Sequence, residues 1–219
     1  MNIGIIGAGN IGGTLAKRLA KLGHTVSIAN SRGPETLAAL AKESGAKAVT
    51  VKEAARAGDV VIVTIPEGKI RDLPNDLFAG VSESVVVIDT GNYYPQRDGR
   101  IDEIAKGLPE SQYAAQKLGR PAVKAFNNIR ARHLMENGKP AGAAGRIALP
   151  VAGDDARAKK IVLDLVNELG FDPIDAGGLA ESWRQQPGSP VYATDLNAEG
   201  VRRALQQASK ERPREFRAA

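Results

Sequence analysis

Short runs of apolar, mostly β-branched residues alternate along the chain with longer segments whose apolar positions recur at helical spacing. The runs are unbroken, which is typical of strands that a parallel sheet buries on both faces. Six such strands are predicted, at residues 3–6, 25–29, 48–51, 60–65, 85–89 and 122–126. Strands that alternate with helices predict an α/β fold of the Rossmann type, a doubly wound parallel sheet with right-handed crossovers.

Helical patterns fill the segments between these strands. Ile11, Leu15 and Leu19 mark one face of a predicted helix over residues 10–22, and Gly23 follows as a signal for its end. A second helix is predicted after Pro34. This spacing of strand, helix and strand is that of the first unit of a doubly wound sheet.

The pattern continues past residue 140 on a smaller scale. It predicts strands at 146–151 and 171–175, helices at 154–169 and 193–209, and a long ordered loop or broken helix at 177–192, with order ending at Pro213. This part is too short for a large independent substrate domain. We expect one domain over residues 1–219, with a core at 1–140, a short α/β C-terminal extension at 141–212 that completes the fold, and a tail at 213–219.

Composition removes several classes of function. The chain has 219 residues, 30 of them basic and 25 acidic, and no cysteine, which excludes disulfides, thiolate catalysis and cysteine-ligated metal. Most of the net charge of +5 lies in residues 200–219, which hold six basic and two acidic residues. No basic-aromatic motif, targeting segment or long apolar run is present. We expect a cytoplasmic protein that binds neither nucleic acid nor membrane.

A glycine-rich sequence links the first strand to the first helix. It reads Gly7-Ala8-Gly9-Asn10-Ile11-Gly12, a G-x-G-x-x-G pattern between a predicted strand and an amphipathic helix. In a dinucleotide fingerprint Gly7 permits the tight turn, Gly9 lets the backbone approach a pyrophosphate, and Gly12 lets helix and strand pack closely. The helix N-terminus then receives the phosphates. The alternative is a structural glycine turn in another kind of α/β protein.

The end of the second strand indicates which cofactor is bound. An NAD site usually places an acid here for the ribose hydroxyls, but this chain has Asn30, Ser31 and Arg32 and no acid before Glu35. A hydroxyl beside a guanidinium suits a 2′-phosphate, because arginine supplies charge and a planar fork of donors. The pattern favours NADP(H), and the alternative is a solvated turn arginine.

Further strand ends are expected to line the same crevice, since ligands of such sheets lie outside the carboxyl ends of the strands. The predicted contacts to the ribose and nicotinamide are Thr64, Ile65, Pro66, Thr90, Gly91, Asn92 and Asn127. Asn127 or Asn128 is suited to orient a carboxamide or a substrate carbonyl. Either asparagine is equally suited to cap the helix that follows.

These motifs together resemble a known family. The segments are GAGNIGGTLAKRLAKLGH, NSR, VTIP and VKAFNNI, followed by GDD, a Lys-Lys pair and DAGGL in the C-terminal third. They are similar, over about residues 1–185, to the NADP oxidoreductases that depend on the deazaflavin coenzyme F420, and to the cytosolic domain of the STEAP metalloreductases. The chain departs from the deazaflavin enzymes at Asn127, where they carry a histidine, and at Gly33-Pro34.

The resemblance implies an oxidoreductase that transfers a hydride between NADP(H) and a flat, isoalloxazine-like ring. Its small-molecule acceptor or donor would be FMN, FAD or coenzyme F420. It further implies that the nucleotide contacts are Gly9, Asn10, Ile11, Ser31 and Arg32. It also favours a homodimer, in which residues 177–210 dock against the second chain.

Other candidate groups indicate no particular catalytic chemistry, so the catalytic residues stay unassigned. His24 lies in a turn, and His133 lies on a predicted helix face. We expect both to be structural, and no cluster has the spacing of metal ligands. Asp154-Asp155 is expected to cap its helix. Trp183 either packs against the core or a partner, or stacks on a ligand.

Two other classes of function stay open at this point. One is an NADPH-dependent reductase of a small carbonyl or imine, although such enzymes add a large helical domain for which this chain is too short. The other is an NADPH-binding sensor that performs no turnover.

Overall fold

The computed structural model describes residues 1–218 and has a six-stranded parallel sheet at its centre. The strands are β1 (Asn2–Ile6), β2 (Thr25–Ala29), β3 (Lys47–Ala48), β4 (Val60–Val63), β5 (Val86–Asp89) and β6 (Val123–Lys124). Their order in the sheet is β3-β2-β1-β4-β5-β6. From β1 the next strands are added towards one edge of the sheet as β2 and β3, and the later strands β4, β5 and β6 are added towards the other edge. Rossmann folds bind dinucleotides at the point where this order reverses, between β1 and β4.

Helices cover both faces of the sheet. They are α1 (Asn10–Lys21), α2 (Ala38–Ser44), α3 (Val51–Ala55), α4 (Pro95–Asp98), α5 (Asp102–Ala105), α6 (Glu110–Leu118), α7 (Ala131–Glu136), α8 (Ala156–Glu168) and α9 (Ala198–Gln206). Val60 and Ile62 of β4 belong to the apolar cluster that contains helix α1, whereas Val61 and Val63 belong to the cluster on the opposite face. Burial on both faces explains the unbroken apolar runs of the sequence.

The C-terminal extension forms a second, smaller sheet. Its strands β7 (Ala148–Val151) and β8 (Asp172–Asp175) pair in parallel. A single antiparallel bridge between Lys124 and Ala152 joins β7 to the edge of the main sheet, with N–H to oxygen distances of 2.7 and 3.0 Å. The extension therefore covers the β6 edge, which would otherwise present unpaired backbone groups.

Three predicted boundaries are wrong for local reasons. The strand predicted at 48–51 has two residues, because Thr50 and Glu53 form a capping box that starts α3. Helix α9 begins five residues later than predicted, where the Asn197 side chain accepts a hydrogen bond from Gly200 N–H. Order does not end at Pro213, since Arg214–Phe216 forms a 3-10 helix. Residue 219 of the predicted tail lies outside the described residues.

Three further 3-10 helices lie in loops, at Pro34–Leu37, Glu67–Asp72 and Leu179–Gln185. The last of these is the broken helix predicted within 177–192. Among residues 1–218 no helix is both long enough and apolar enough to cross a membrane.

Candidate functional site

The turn between β1 and α1 uses each glycine for a different purpose. Gly7 has a φ of 115°, which side chains rarely adopt, and a Cβ there would lie 2.2 Å from the Thr64 carbonyl oxygen. A Cβ at Gly12 would lie 1.9 Å from the Gly7 carbonyl oxygen. Around Gly9, by contrast, no atom lies within 4 Å of the Cβ position. Gly7 and Gly12 build the turn, while Gly9 leaves room for a ligand to approach the backbone.

The N-terminus of α1 opens onto this space. Gly9 is the N-cap residue, so no side-chain oxygen occupies the first N–H groups, and the first turn contains no acidic residue. Asn10 is exposed and Ile11 is half-buried at this end of the helix. Free N–H groups and the positive end of the helix dipole therefore remain available to an anion.

A cavity of about 560 Å³ lies beside the turn, along the carboxyl ends of β1, β2 and β4. Its volume is that of a small-molecule or cofactor pocket. Nine predicted site residues line it, namely Gly7, Ala8, Gly9, Asn30, Ser31, Arg32, Thr64, Ile65 and Pro66. Sequence reasoning missed the five residues that complete the wall, namely Ile6, Val51, Lys69, Asp72 and Leu73. The one signal for Lys69, Asp72 and Leu73 was a position shortly after a predicted strand, whereas Val51 lay inside the strand predicted at 48–51.

Arg32 stands at the β2 end of this cavity. The Asn30 Oδ1 accepts a hydrogen bond from Arg32 N–H at 2.9 Å, and Asn30 Nδ2 donates to the Thr36 hydroxyl at 2.9 Å. These bonds fix the backbone of the turn. The Arg32 guanidinium is exposed, and within residues 1–218 it has no carboxylate or hydrogen-bond partner. Lys69, across the cavity, is instead paired with Asp72 at 2.9 Å.

An amide cluster joins the ends of β5 and β6. Asn127 Nδ2 donates to Asn92 Oδ1 at 3.1 Å and to the Gln185 carbonyl oxygen at 2.7 Å. Gln185 Nε2 donates to Asn127 Oδ1 at 2.9 Å, and Asn92 Nδ2 donates to the Asn127 carbonyl oxygen at 2.9 Å. The helix-cap alternative is wrong, because the N-cap residue of α7 is Arg130 and no side chain caps that helix. Asn127 thus ties two strand ends to the C-terminal extension.

Buried charges lie beneath the turn that follows β5, and the sequence did not indicate them. Lys124 Nζ donates to Asp89 Oδ2 at 3.0 Å and to the Gly91 carbonyl oxygen at 2.5 Å. Asp89 also accepts from the Ser111 hydroxyl at 2.5 Å and from Gly91 N–H at 2.8 Å. Burial lowers the pKa of Lys124, but Asp89, followed by Glu110, outweighs that effect and the net pKa is raised. Lys124 and Asp89 therefore fix the Gly91 backbone through hydrogen bonds to its carbonyl oxygen and from its N–H group.

Glu67 completes this buried group from the β4 side. It follows Pro66 directly and is 0% exposed, and neither carboxyl oxygen has a hydrogen-bond partner in the part of the chain that the structure describes. Burial, and after it the charge of Asp89, raises the pKa of Glu67 well above its ordinary value. A buried carboxyl without a donor is most stable in its neutral form.

Comparisons with known proteins place this geometry in a family. Residues 2–93 match the family model described as NADP oxidoreductase, coenzyme F420-dependent. The F420-dependent NADP reductase of Methanocaldococcus jannaschii is 31% identical to this chain over 208 residues, in an alignment that covers 83% of this chain and 86% of that protein. The chain belongs to the F420-dependent NADP oxidoreductase family.

Two further proteins are similar to this chain. A hypothetical protein of Sinorhizobium meliloti has a crystal structure that matches with a TM-score of 0.75 and 33% identity, covering 90% of this chain and 96% of that one. The protein YjhV of Escherichia coli K12 is 47% identical over 74 residues, and this chain spans 54% of its length. The predicted family and the predicted Rossmann-type fold are both confirmed. This F420-dependent NADP oxidoreductase family member is an oxidoreductase that uses a nicotinamide cofactor.

The two histidines of this family member have polar partners away from the cavity. His24 lies between the N-terminal amine, at 3.2 Å, and the Glu168 carboxylate, at 3.1 Å. His133 pairs with Asp195 at 2.8 Å. Neither histidine lines the cavity beside the glycine turn. Within residues 1–218, no group of three or more His, Cys, Asp or Glu residues is arranged to hold a metal ion.

Trp183 and the acidic pair before α8 take part in packing. Trp183 is 8% exposed, and the Arg184 guanidinium lies over its ring at 4.3 Å from the centroid. It also lines a cavity of about 310 Å³ together with Ile104 and Leu108, so packing and ligand stacking both stay open. Asp155 is the N-cap of α8, accepting from Ala158 N–H, as predicted. Asp154 instead accepts from Leu179 N–H at 2.8 Å.

Proposed function

We propose that this oxidoreductase binds NADP(H) and transfers a hydride between its nicotinamide ring and a flavin- or deazaflavin-like acceptor such as FMN, FAD or coenzyme F420. The observation that carries the cofactor assignment is the unpaired guanidinium of Arg32 at the cavity wall, beside the Ser31 hydroxyl. A dianionic 2′-phosphate is the partner that this pair of donors fits best.

The rest of the cavity suits the remainder of the cofactor. The open space at Gly9 and the free N-terminus of α1 would hold the pyrophosphate. Thr64, Ile65 and Pro66 would support the ribose and one side of the nicotinamide, with Thr90, Gly91 and Asn92 on the other side. When bound, NADPH supplies the hydride, so the chain itself needs to bind and orient rather than to form a bond.

Around the turn after β5, where the acceptor would bind, hydrogen bonds fix the backbone and so would orient the acceptor ring. Lys124 and Asp89 hold the turn at Gly91, and Asn127 links Asn92 to the C-terminal extension. A ring that receives a hydride must lie close to the nicotinamide at a fixed angle. The family's description supports a deazaflavin acceptor. Because Asn127 stands where the deazaflavin enzymes carry a histidine, we propose flavins as acceptors as well.

Anaerobic mixing of NADPH with coenzyme F420, FMN, FAD and riboflavin tests the proposal. We expect loss of NADPH absorbance together with bleaching of at least one of these acceptors at a rate proportional to enzyme concentration. NADH should react more slowly, because it lacks the 2′-phosphate. Tight binding of NADPH with no oxidation by any of the four acceptors would contradict hydride transfer to such a ring.

A further inference from the structure

Glu67 is the least satisfied ionisable side chain near the proposed nicotinamide end of the site. Both of its carboxyl oxygens are shielded from solvent, and in residues 1–218 neither has a donor. A Cβ built on Gly91 would lie 2.4 Å from Glu67 Oε2 and 2.9 Å from Asp89 Oδ1. The Glu67 carboxyl therefore lies directly against the turn that follows β5, beside a second carboxylate.

The two carboxylates have opposite environments. Asp89 has the Lys124 ammonium, the Ser111 hydroxyl and the Gly91 N–H as donors, so it is stable as an anion. Glu67 accepts from none of these donors, and burial and the Asp89 charge raise its pKa more than the Lys124 charge lowers it. When two acids share a site and one has all the donors, the other keeps its proton.

The remaining charges around Glu67 come from helices α4 and α6 and from the C-terminal segment. Asp98 of α4 and Glu110 of α6 add negative charge, and each of the two has its own arginine partner. Arg97 is bonded to Asp98 and Arg212 to Glu110. The pKa of the Tyr113 hydroxyl in α6 is raised, first by burial and to a smaller extent by the Glu67 charge. Every other carboxylate of the group thus has a cation, and only an ionised Glu67 would add an uncompensated negative charge.

We propose that Glu67 sets the preference of this site between the two redox states of the cofactor, favouring NADPH while it is protonated and NADP⁺ once it is ionised. The inference rests on the proposed function, because it requires the nicotinamide at the carboxyl ends of β4 and β5. NADP⁺ carries one more positive charge than NADPH, on the ring itself. A negative charge beneath Gly91 stabilises that ring, and a neutral carboxyl does not.

The size of the effect follows from Coulomb's law. At an effective dielectric constant of about 20, two unit charges within about 12 Å of each other change an equilibrium constant at least about tenfold, so a ring within that distance of the Glu67 carboxyl would respond to its charge by at least that factor. We therefore expect the ratio of NADP⁺ to NADPH affinity to rise at least about tenfold as Glu67 loses its proton. Ionisation of the 2′-phosphate affects both nucleotides alike and cancels in this ratio.

The experiment measures the dissociation constants of NADPH and NADP⁺ between about pH 5.5 and pH 9.5, the range in which buried glutamates are known to titrate. In the unmodified protein the affinity ratio should rise with pH through a single proton step. In Glu67→Gln, which keeps the shape and stays neutral, it should stay flat at the low-pH value. Glu199→Gln is the matched control, since Glu199 is a surface residue paired with Arg203, and it should follow the unmodified protein.

A second measurement uses the unmodified protein alone, so the test survives if Glu67→Gln fails to fold. Calorimetry in buffers of different ionisation enthalpy counts the protons exchanged when each nucleotide binds. Near the midpoint, NADP⁺ binding should release more protons than NADPH binding. Equal proton counts, a flat ratio in the unmodified protein, or the same pH dependence in Glu67→Gln would overturn this inference. Failure of both nucleotides to bind at any pH would instead overturn the proposed function.

Discussion

Replacing Arg32 by alanine is the most direct test of the cofactor assignment. The Arg32 guanidinium lines the cavity and has no carboxylate partner within residues 1–218, so its removal leaves no buried acid unpaired. The change should therefore leave the folded protein intact. Its effect should appear only in the binding of a nucleotide that carries a 2′-phosphate.

The magnitude follows from the exposure of the guanidinium. One charge-assisted hydrogen bond to a phosphate contributes about 2 kcal/mol, which is about 30-fold in the dissociation constant. Arg32→Ala should weaken NADPH by about this factor and leave NADH almost unchanged. Arg32→Lys should fall between the two, because it keeps the charge but loses the planar fork of donors.

The assay is a fluorescence titration of the protein with NADPH and with NADH at fixed ionic strength, since salt screens an exposed pair. Lys69→Ala is a suitable comparison, because Lys69 lines the same cavity but is paired with Asp72. Unchanged NADPH affinity in Arg32→Ala, or an equal loss for NADPH and NADH, would refute the assignment of Arg32 to the 2′-phosphate.

The remaining predictions can each be measured separately. Gly12→Ala should destabilise the fold by about 3 kcal/mol in denaturant titration, because its Cβ meets backbone. Gly9→Ala should fold normally yet bind NADPH more weakly, since its Cβ position is open in the structure; equal losses of stability would contradict this. Arg212→Ala, which leaves its buried carboxylate partner uncompensated, should cost about 3–5 kcal/mol. Arg217→Ala breaks an exposed pair and should cost under about 1 kcal/mol, so similar costs for the two would argue against the buried pair. The raised pKa of Glu67 means that the folded state binds the extra proton. The free energy of unfolding should then fall by about 1.4 kcal/mol per pH unit as pH rises from the ordinary glutamate range to the raised pKa. Glu67→Gln should show no such decline in that pH window. The homodimer stays a prediction, and a monomer in sedimentation at micromolar concentration would contradict it.

The nucleotide half of the site was predictable because its signals are local. Gly7, Gly9 and Gly12 are close in sequence, and their roles follow from backbone geometry at one turn. The end of β2 is equally local, since Asn30 shapes the turn that carries Arg32. The capping box of α3 was also present in the sequence as a Thr-x-x-Glu pattern, but the β-branched, strand-like residues around Thr50 concealed it.

The other half of the site depends on contacts between distant parts of the chain. Asn127 accepts its hydrogen bond from Gln185, a residue 58 positions later, and Lys124 pairs with Asp89, 35 positions earlier. No spacing rule connects such residues before the sheet is assembled. Glu67 gave no signal at all, because a glutamate after a strand is normally solvated and only the fold buries it.

The basic C-terminal segment illustrates how far net charge can mislead. Its surplus of basic residues indicated no contact with the site, yet Arg212 reaches the buried Glu110 at 2.8 Å and the Gln186 Oε1 at 2.8 Å. Gln186 follows Gln185, the residue that holds Asn127. Phe216 lies against Tyr94, with 6.1 Å between ring centroids, in the loop after β5. Arg212 and Phe216 thus hold the C-terminal segment against the loops that contain Gln186 and Tyr94, so loss of Arg212 should loosen those loops before it affects the nucleotide cavity.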